Sequence, residues 1–154
     1  MDKIEILRGR PLFTGLGEPE LEYLSFLAEE ECFPEAVDII SEDKVFDKTI
    51  YIIVSGAVEV LKKSTTDSAK TYVITTLTTG DCFGEMSLID VKPRSATVRT
   101  IKETVVLKLT NASITSFTEL YSRGITVIVL NLAKILSQRL RKANIDLTNL
   151  KSSE

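Results

Sequence analysis

The sequence contains no histidine. That absence removes histidine metal ligands, Ser-His-Asp and Cys-His nucleophilic systems, and histidine general-base chemistry. Cysteine is scarce: Cys32 and Cys82 stand too far apart for a zinc or redox motif and are expected to be buried free thiols in a reducing compartment. No metal site is expected. A cationic excess is also missing, with 19 Lys and Arg against 22 Asp and Glu, a net charge of −3 and a pI near 5.2. Nucleic acid and anionic membranes need clustered cations, so neither is expected as the main partner. The longest apolar run, Ile125 to Leu132, is interrupted by Asn131 and is too short to span a bilayer. Met1-Asp2-Lys3-Ile4-Glu5 leads into no apolar h-region, so secretion is not expected and a cytoplasmic location is.

What is present is ordinary for a globular chain: 154 residues, 44% hydrophobic, 27% charged, mean hydropathy +0.11. There is no internal repeat and no low-complexity segment, so one domain over 1–154 is expected, in three zones. Residues 1–30 read as helical, with Gly15-Leu16-Gly17-Glu18-Pro19 as a turn and Leu21, Leu24, Leu27 and Ala28 at helical spacing, ending at Glu29-Glu30-Glu31. Residues 31–109 read as short strands between turns: 37–40, 50–54, 57–62, 72–77, 97–101 and 104–109, with an exposed hairpin loop over 63–70. Many short strands without intervening long helices favour an antiparallel sandwich or barrel. Residues 110–150 are helical again, with a stripe of Val129, Leu132, Leu136, Leu140, Ala143, Leu147 and Leu150. Ile125, Ile128 and Ile135 widen that stripe, which suits packing on the barrel and also against a second copy of the chain.

The chemistry concentrates in Gly80 to Val98, GDCFGEMSLIDVKPRSATV. Gly80-Asp81 is a tight turn. Gly84 permits unusual backbone angles and a close approach to the main chain. Residues 85–89 are long enough for one helical turn whose open end presents N–H groups to an anion. Pro93 fixes the chain ahead of Arg94, and a guanidinium there can fork onto a phosphate. Glu85 would repel that phosphate, so its carboxylate needs a donor such as a sugar hydroxyl. A plain Glu85–Arg94 ion pair is the competing reading of the same residues.

Phe83-Gly84-Glu85-Met86-Ser87-Leu88-Ile89, followed by Pro93-Arg94-Ser95-Ala96-Thr97-Val98, resembles the phosphate-binding cassette of the cyclic-nucleotide-binding domain family. Pro11-Leu12-Phe13…Leu16 with Glu20-Leu21, and Tyr51 to Val60 around Ser55-Gly56, resemble two further segments of that family. The resemblance implies an α+β, mainly β fold: a double-stranded β-helix (jelly-roll) barrel of eight strands with N-terminal helices and a long C-terminal helix. It implies cAMP or cGMP as ligand and no other cofactor. Glu85 would accept from the ribose 2′-hydroxyl and Arg94 would neutralise the phosphate, helped by the N–H groups of Ser87 and Ser95. Gly84 and Met86 belong to the same cassette, Val60 and Ile74 match positions that pack on the base, and Asn144 matches one that caps the purine. Ser95 could also read a guanine edge, so it leaves cAMP and cGMP both open. The family's glycines in the turns around the first two strands are replaced by Ala36 and Asp43, and Ala takes left-handed angles poorly.

The leading expectation is therefore a regulatory sensor, not an enzyme. Ligand would reposition the C-terminal helix, and an effector protein of unknown identity would receive the signal. DNA binding is not expected, since residues 148–154 leave no room for a helix-turn-helix. A cupin-like enzyme would need histidine ligands, and acid–base work by Glu85 with Asp81 or Asp90 has no positive support. A ligand-free barrel kept for dimerisation through the C-terminal helix is the alternative.

Overall fold

The computed structural model describes residues 1–43, 48–89 and 94–153. Pro93 and Asp90, both weighed above, lie outside the described residues. The chain begins with α1 (Lys3–Arg8), a 3-10 turn at Pro11–Phe13 and α2 (Glu18–Leu27). Eight strands follow among the described residues: β1 (Glu29–Phe33), β2 (Asp38–Ile40), β3 (Ile50–Ser55), β4 (Ala57–Lys63), β5 (Thr71–Thr78), β6 (Cys82–Phe83), β7 (Thr97–Thr100) and β8 (Thr104–Leu109). Then come α3 (Asn111–Leu120) and the long α4 (Ser122–Ser152). The strands form two antiparallel four-stranded sheets, ordered β1-β8-β3-β6 and β2-β7-β4-β5, which is the jelly-roll arrangement.

Strand β3 shows why its apolar run is continuous. Ile50 and Ile52 face the helices, where they meet Leu7, Leu24, Leu107, Phe117 and Leu132. Tyr51 and Ile53 face the barrel interior with Val58, Phe83, Val98 and Val106. A strand covered on both faces has no polar side to alternate with. At the far edge of the other sheet, β5 is exposed along nearly its whole length.

Two helix N-termini are capped by side chains. The Asp2 carboxylate accepts from the Ile4 and Glu5 amides, and Thr110 Oγ1 accepts from the Ser113 amide at 3.2 Å. Asn131, the polar break in the apolar run, donates to the carbonyls of Leu12 (3.0 Å) and Thr14 (2.8 Å), tying α4 to the 3-10 turn.

Two expectations need correction. Glu29-Glu30-Glu31 do not close the helical zone; they open β1, at the edge of its sheet, where Lys108 of β8 pairs with Glu29 and Glu31. Cys32 is exposed, because the inward positions of that edge strand go to its neighbours. The stripe of α4 is buried in part, as packing on the barrel and on a second copy would divide it: Ile128 and Leu132 are fully buried, whereas Val129, Leu140, Leu147 and Leu150 are exposed.

Ala36 and Asp43 both take left-handed backbone angles (φ 64° and 63°). The turns therefore keep their shape without glycine. The Ala36 amide donates to Thr100 O and the Asp43 amide to Arg94 O, both at 3.0 Å.

Candidate functional site

Between the barrel mouth and α4 lies a cavity of about 680 Å³, within the range of small-molecule sites. The turn leading into it is built by residues 78–84. The Asp81 carboxylate accepts from the Thr78 amide at 2.8 Å, and Tyr51 and Phe83 stack with centroids 4.9 Å apart. Gly84 then adopts φ 80°, and a side chain there would come within 2.5 Å of the Thr49 carbonyl and 3.3 Å of the Arg94 guanidinium. Only a residue without Cβ fits.

Glu85 to Leu88 form a single 3-10 turn. The Gly84 carbonyl accepts from the Ser87 amide (3.2 Å), Ser87 Oγ (2.7 Å) and Arg94 Nη1 (3.2 Å). The Ser87 amide is thus turned inward, and the open end of the turn carries the amides of Glu85 and Met86. Arg94 Nη2 donates to the Thr49 carbonyl at 3.2 Å, so the guanidinium is anchored against backbone. The segment after Arg94 is held from outside: Lys62 Nζ donates to the Ser95 carbonyl at 2.6 Å, and Thr97 Oγ1 accepts from the Glu42 amide at 2.9 Å. Glu42 accepts in turn from the Lys63 amide and the Lys62 ammonium, which hold its carboxyl below the usual range.

Glu85 is 5% exposed, and its Oε1 accepts from Arg139 Nη1 of α4 at 2.6 Å. The carboxylate is therefore paired with a cation from the last helix and not with Arg94. Burial of the neighbouring Cys82 thiol, reinforced by the Glu85 charge, pushes its pKa up to about 12, so it stays neutral.

Of the residues singled out in the sequence, Gly84, Glu85, Met86, Ser87, Arg94 and Ser95 all border the cavity. So do Val60 and Ile74 on the barrel side. Ile74 gets there through a β-bulge: Val60 pairs with Thr75 and Leu61 with Val73, leaving Ile74 as the extra residue. Asn144 does not border the cavity and is exposed. On α4 that wall belongs to Arg139, Lys142, Ala143 and Asp146. Sequence reading missed the three charged ones. Their signal was the spacing of 139, 142 or 143, and 146, one helical face beside the apolar stripe. Among the described residues no cluster of three potential metal ligands occurs, and no helix is long and apolar enough to cross a membrane.

The family model of the cyclic nucleotide-binding domain matches residues 30–121. The chain belongs to the cyclic nucleotide-binding domain family. This domain is 29% identical over 151 residues to the cyclic AMP receptor protein of Thermus thermophilus, covering 96% of this chain and 65% of that protein. It is 26% identical over 146 residues to a CRP-like cAMP-activated global transcriptional regulator of Mycobacterium tuberculosis, covering 95% of this chain and 62% of the regulator. The crystal structure of Thermus thermophilus catabolite activator protein superposes with TM-score 0.75 at 27% identity, over 92% of this chain and 63% of that one. The chain thus spans slightly less than two thirds of the length of each of these relatives. Those relatives include transcriptional regulators, which overturns the expectation that DNA has no place among the partners. That expectation rested on net charge and on the seven residues after Leu147, and neither speaks for the length of protein that the relatives possess.

Proposed function

We propose that residues 1–154 form one regulatory domain that binds a purine cyclic nucleotide, cAMP in preference to cGMP. The observation that carries the proposal is that Glu85 and Arg94 border one cavity without pairing with each other. Arg94 would meet the cyclic phosphate with the open-end amides of Glu85 and Met86, and the Glu85 carboxylate would accept from the ribose 2′-hydroxyl. Val60 and Ile74 would carry the base. The names of the relatives favour cAMP, and Ser95 keeps cGMP as the competitor to test. No catalytic step is proposed, and a reducing, cytoplasmic setting suits two cysteines that are both free.

Arg139 supplies the route from ligand to helix. A hydroxyl arriving at Glu85 changes the balance of the Glu85–Arg139 pair and so biases the position of α4. The second half of α4 supports a homodimer. Val129, Ala133, Leu136, Leu140, Ala143, Leu147 and Leu150 follow the alternating four-three spacing of a coiled coil. Within one chain Leu140 and Leu150 are 63% and 64% exposed. Pairing would accompany the ligand site, whereas the ligand-free barrel reading would keep the pairing and lose the site.

The deciding experiment is a thermal-shift and titration-calorimetry panel of cAMP, cGMP and 5′-AMP. A clear rise in melting temperature with cAMP, a smaller one with cGMP and none with 5′-AMP is the expected pattern. Silence with both cyclic nucleotides would overturn the proposal. Leu140→Glu with Leu147→Glu should convert a dimer to a monomer in sedimentation; a wild-type chain already monomeric at high concentration would remove the pairing.

A further inference from the structure

Behind the Glu85–Arg139 pair lies a second cavity of about 330 Å³, bordered by Pro11, Leu12, Gly80, Ile135 and Gln138. It shares Cys82, Glu85, Arg139 and Lys142 with the first, so the ion pair stands as a partition between the two. We infer that this second cavity is a binding site for a small organic monocarboxylate, its apolar body against Pro11, Leu12 and Ile135 and its carboxylate on Lys142 and Arg139.

The donor inventory points to an anion. Lys142 and Gln138 are exposed and their side chains donate to no protein acceptor among the described residues, so an incoming anion would displace only water from them, and Arg139 uses only Nη1 on Glu85. A guanidinium carries five N–H groups, so most of its donors remain for a second acceptor. The carboxylates of the lining are already engaged: Glu85 with Arg139, and Asp81 with the Thr78 amide. They also limit the charge of the occupant. With the Arg10 guanidinium lying against Gly80, three cations (Arg10, Arg139 and Lys142) face the two carboxylates, so one negative charge balances the lining and a polyanion would overshoot it. The neutral Cys82 thiol adds no charge to that count.

The volume sets the size. At roughly 30 Å³ per water the cavity holds about ten waters, which suits a short-chain or single-ring acid and is small for a nucleotide. The floor is firm, since Leu12 is fully buried and tied to α4 through Asn131. The site also survives pairing of α4, because Ile135, Gln138 and Lys142 lie on the face of the helix away from Leu136, Leu140, Ala143 and Leu147.

The inference does not rest on cyclic-nucleotide binding, and its test uses other probes. Octanoate and benzoate would be titrated into the full chain by calorimetry and thermal shift, with acetate and 1-octanol as controls lacking the body or the charge. Octanoate or benzoate should bind and raise the melting temperature while both controls stay silent. Gln138→Trp fills the second cavity from an exposed helix position that does not border the first. It should weaken the carboxylate at least tenfold. Lys142→Met gives an independent check, with a similar loss for octanoate. Binding by neither acid, equal binding by 1-octanol, or undiminished binding in both variants would overturn the inference. Carboxylate binding with no cyclic-nucleotide binding would leave it standing and remove only the proposal for the first cavity. Because Arg139 borders both, an occupied second cavity should change cAMP affinity, and cAMP should change carboxylate affinity by the same factor.

Discussion

Two apolar clusters lean on the same strands from opposite sides, and they end differently. The helix-side cluster is closed: Leu7, Leu24, Ile52, Leu107, Phe117 and Ile128 are all fully buried, with α3 and α4 sealing it. The barrel-side cluster of Ile53, Val58, Phe83, Val98 and Val106 is smaller and opens on the cavity. Where it opens, the buried groups turn polar, as with Glu85 and Ser87. The difference teaches that one sheet divides two tasks by residue parity. One set of β3 side chains anchors helices, and the alternate set packs behind Phe83 and Val98, which border the cavity.

The sharpest way to break that division is Phe117→Ala. The ring packs against Gly124, Tyr23 and Tyr121, and its loss should destabilise the fold by about 3–5 kcal/mol in urea unfolding. The affinity of the folded fraction for cyclic nucleotide should be unchanged; a parallel loss of affinity would show that the clusters are not separable.

Arg94→Ala probes the other side. Removing a charge-assisted contact of about 1.5–3 kcal/mol should weaken cyclic nucleotide binding roughly 10- to 150-fold. Its effect on stability should be smaller than that of Phe117→Ala, although the Gly84 and Thr49 carbonyls lose a donor. Calorimetry showing wild-type affinity would place the phosphate elsewhere.

Cysteine labelling distinguishes an exposed edge from the cavity floor. At pH 8 a thiol reagent should modify Cys32 at least about tenfold faster than Cys82, whose thiol stays protonated in the folded chain. The sign at alkaline pH follows: the unfolded thiol ionises near ~8.5 and the folded one only near 12, so Cys82 makes the fold less stable as pH rises between those values. Equal labelling rates would contradict the burial.

The smallest effect is expected at Ala36, in a turn away from the cavity. Its left-handed angle is strained for a residue with Cβ, so Ala36→Gly should stabilise by up to about 1 kcal/mol after the extra chain entropy of Gly is counted. A loss of stability would mean that the added chain entropy of Gly outweighs the relieved strain, since the amide bond to Thr100 O is available to either residue.

Most of the barrel was legible in the sequence because its strands are bounded by turns and carry β-branched runs, as at Ile50–Ser55 and Thr104–Leu109. Strand β1 was not, since an edge strand with Glu29, Glu30 and Glu31 shows no apolar alternation and its pairing with Lys108 is 77 to 79 positions away. The cassette was legible as a contiguous motif. The α4 wall was not, because charged residues on a helix look like a solvated face until tertiary packing lays them over a cavity. Arg139 is 54 positions from Glu85, and no local pattern joins them.

That long-range contact has a mechanical consequence. A sheltered carboxylate stripped of its cation is destabilised by about 1–3 kcal/mol or more, so the last helix cannot drift away at leisure. Under the proposed function, a ligand hydroxyl at Glu85 would supply the replacement donor, so the newcomer would arrive first and the tether would slacken afterwards.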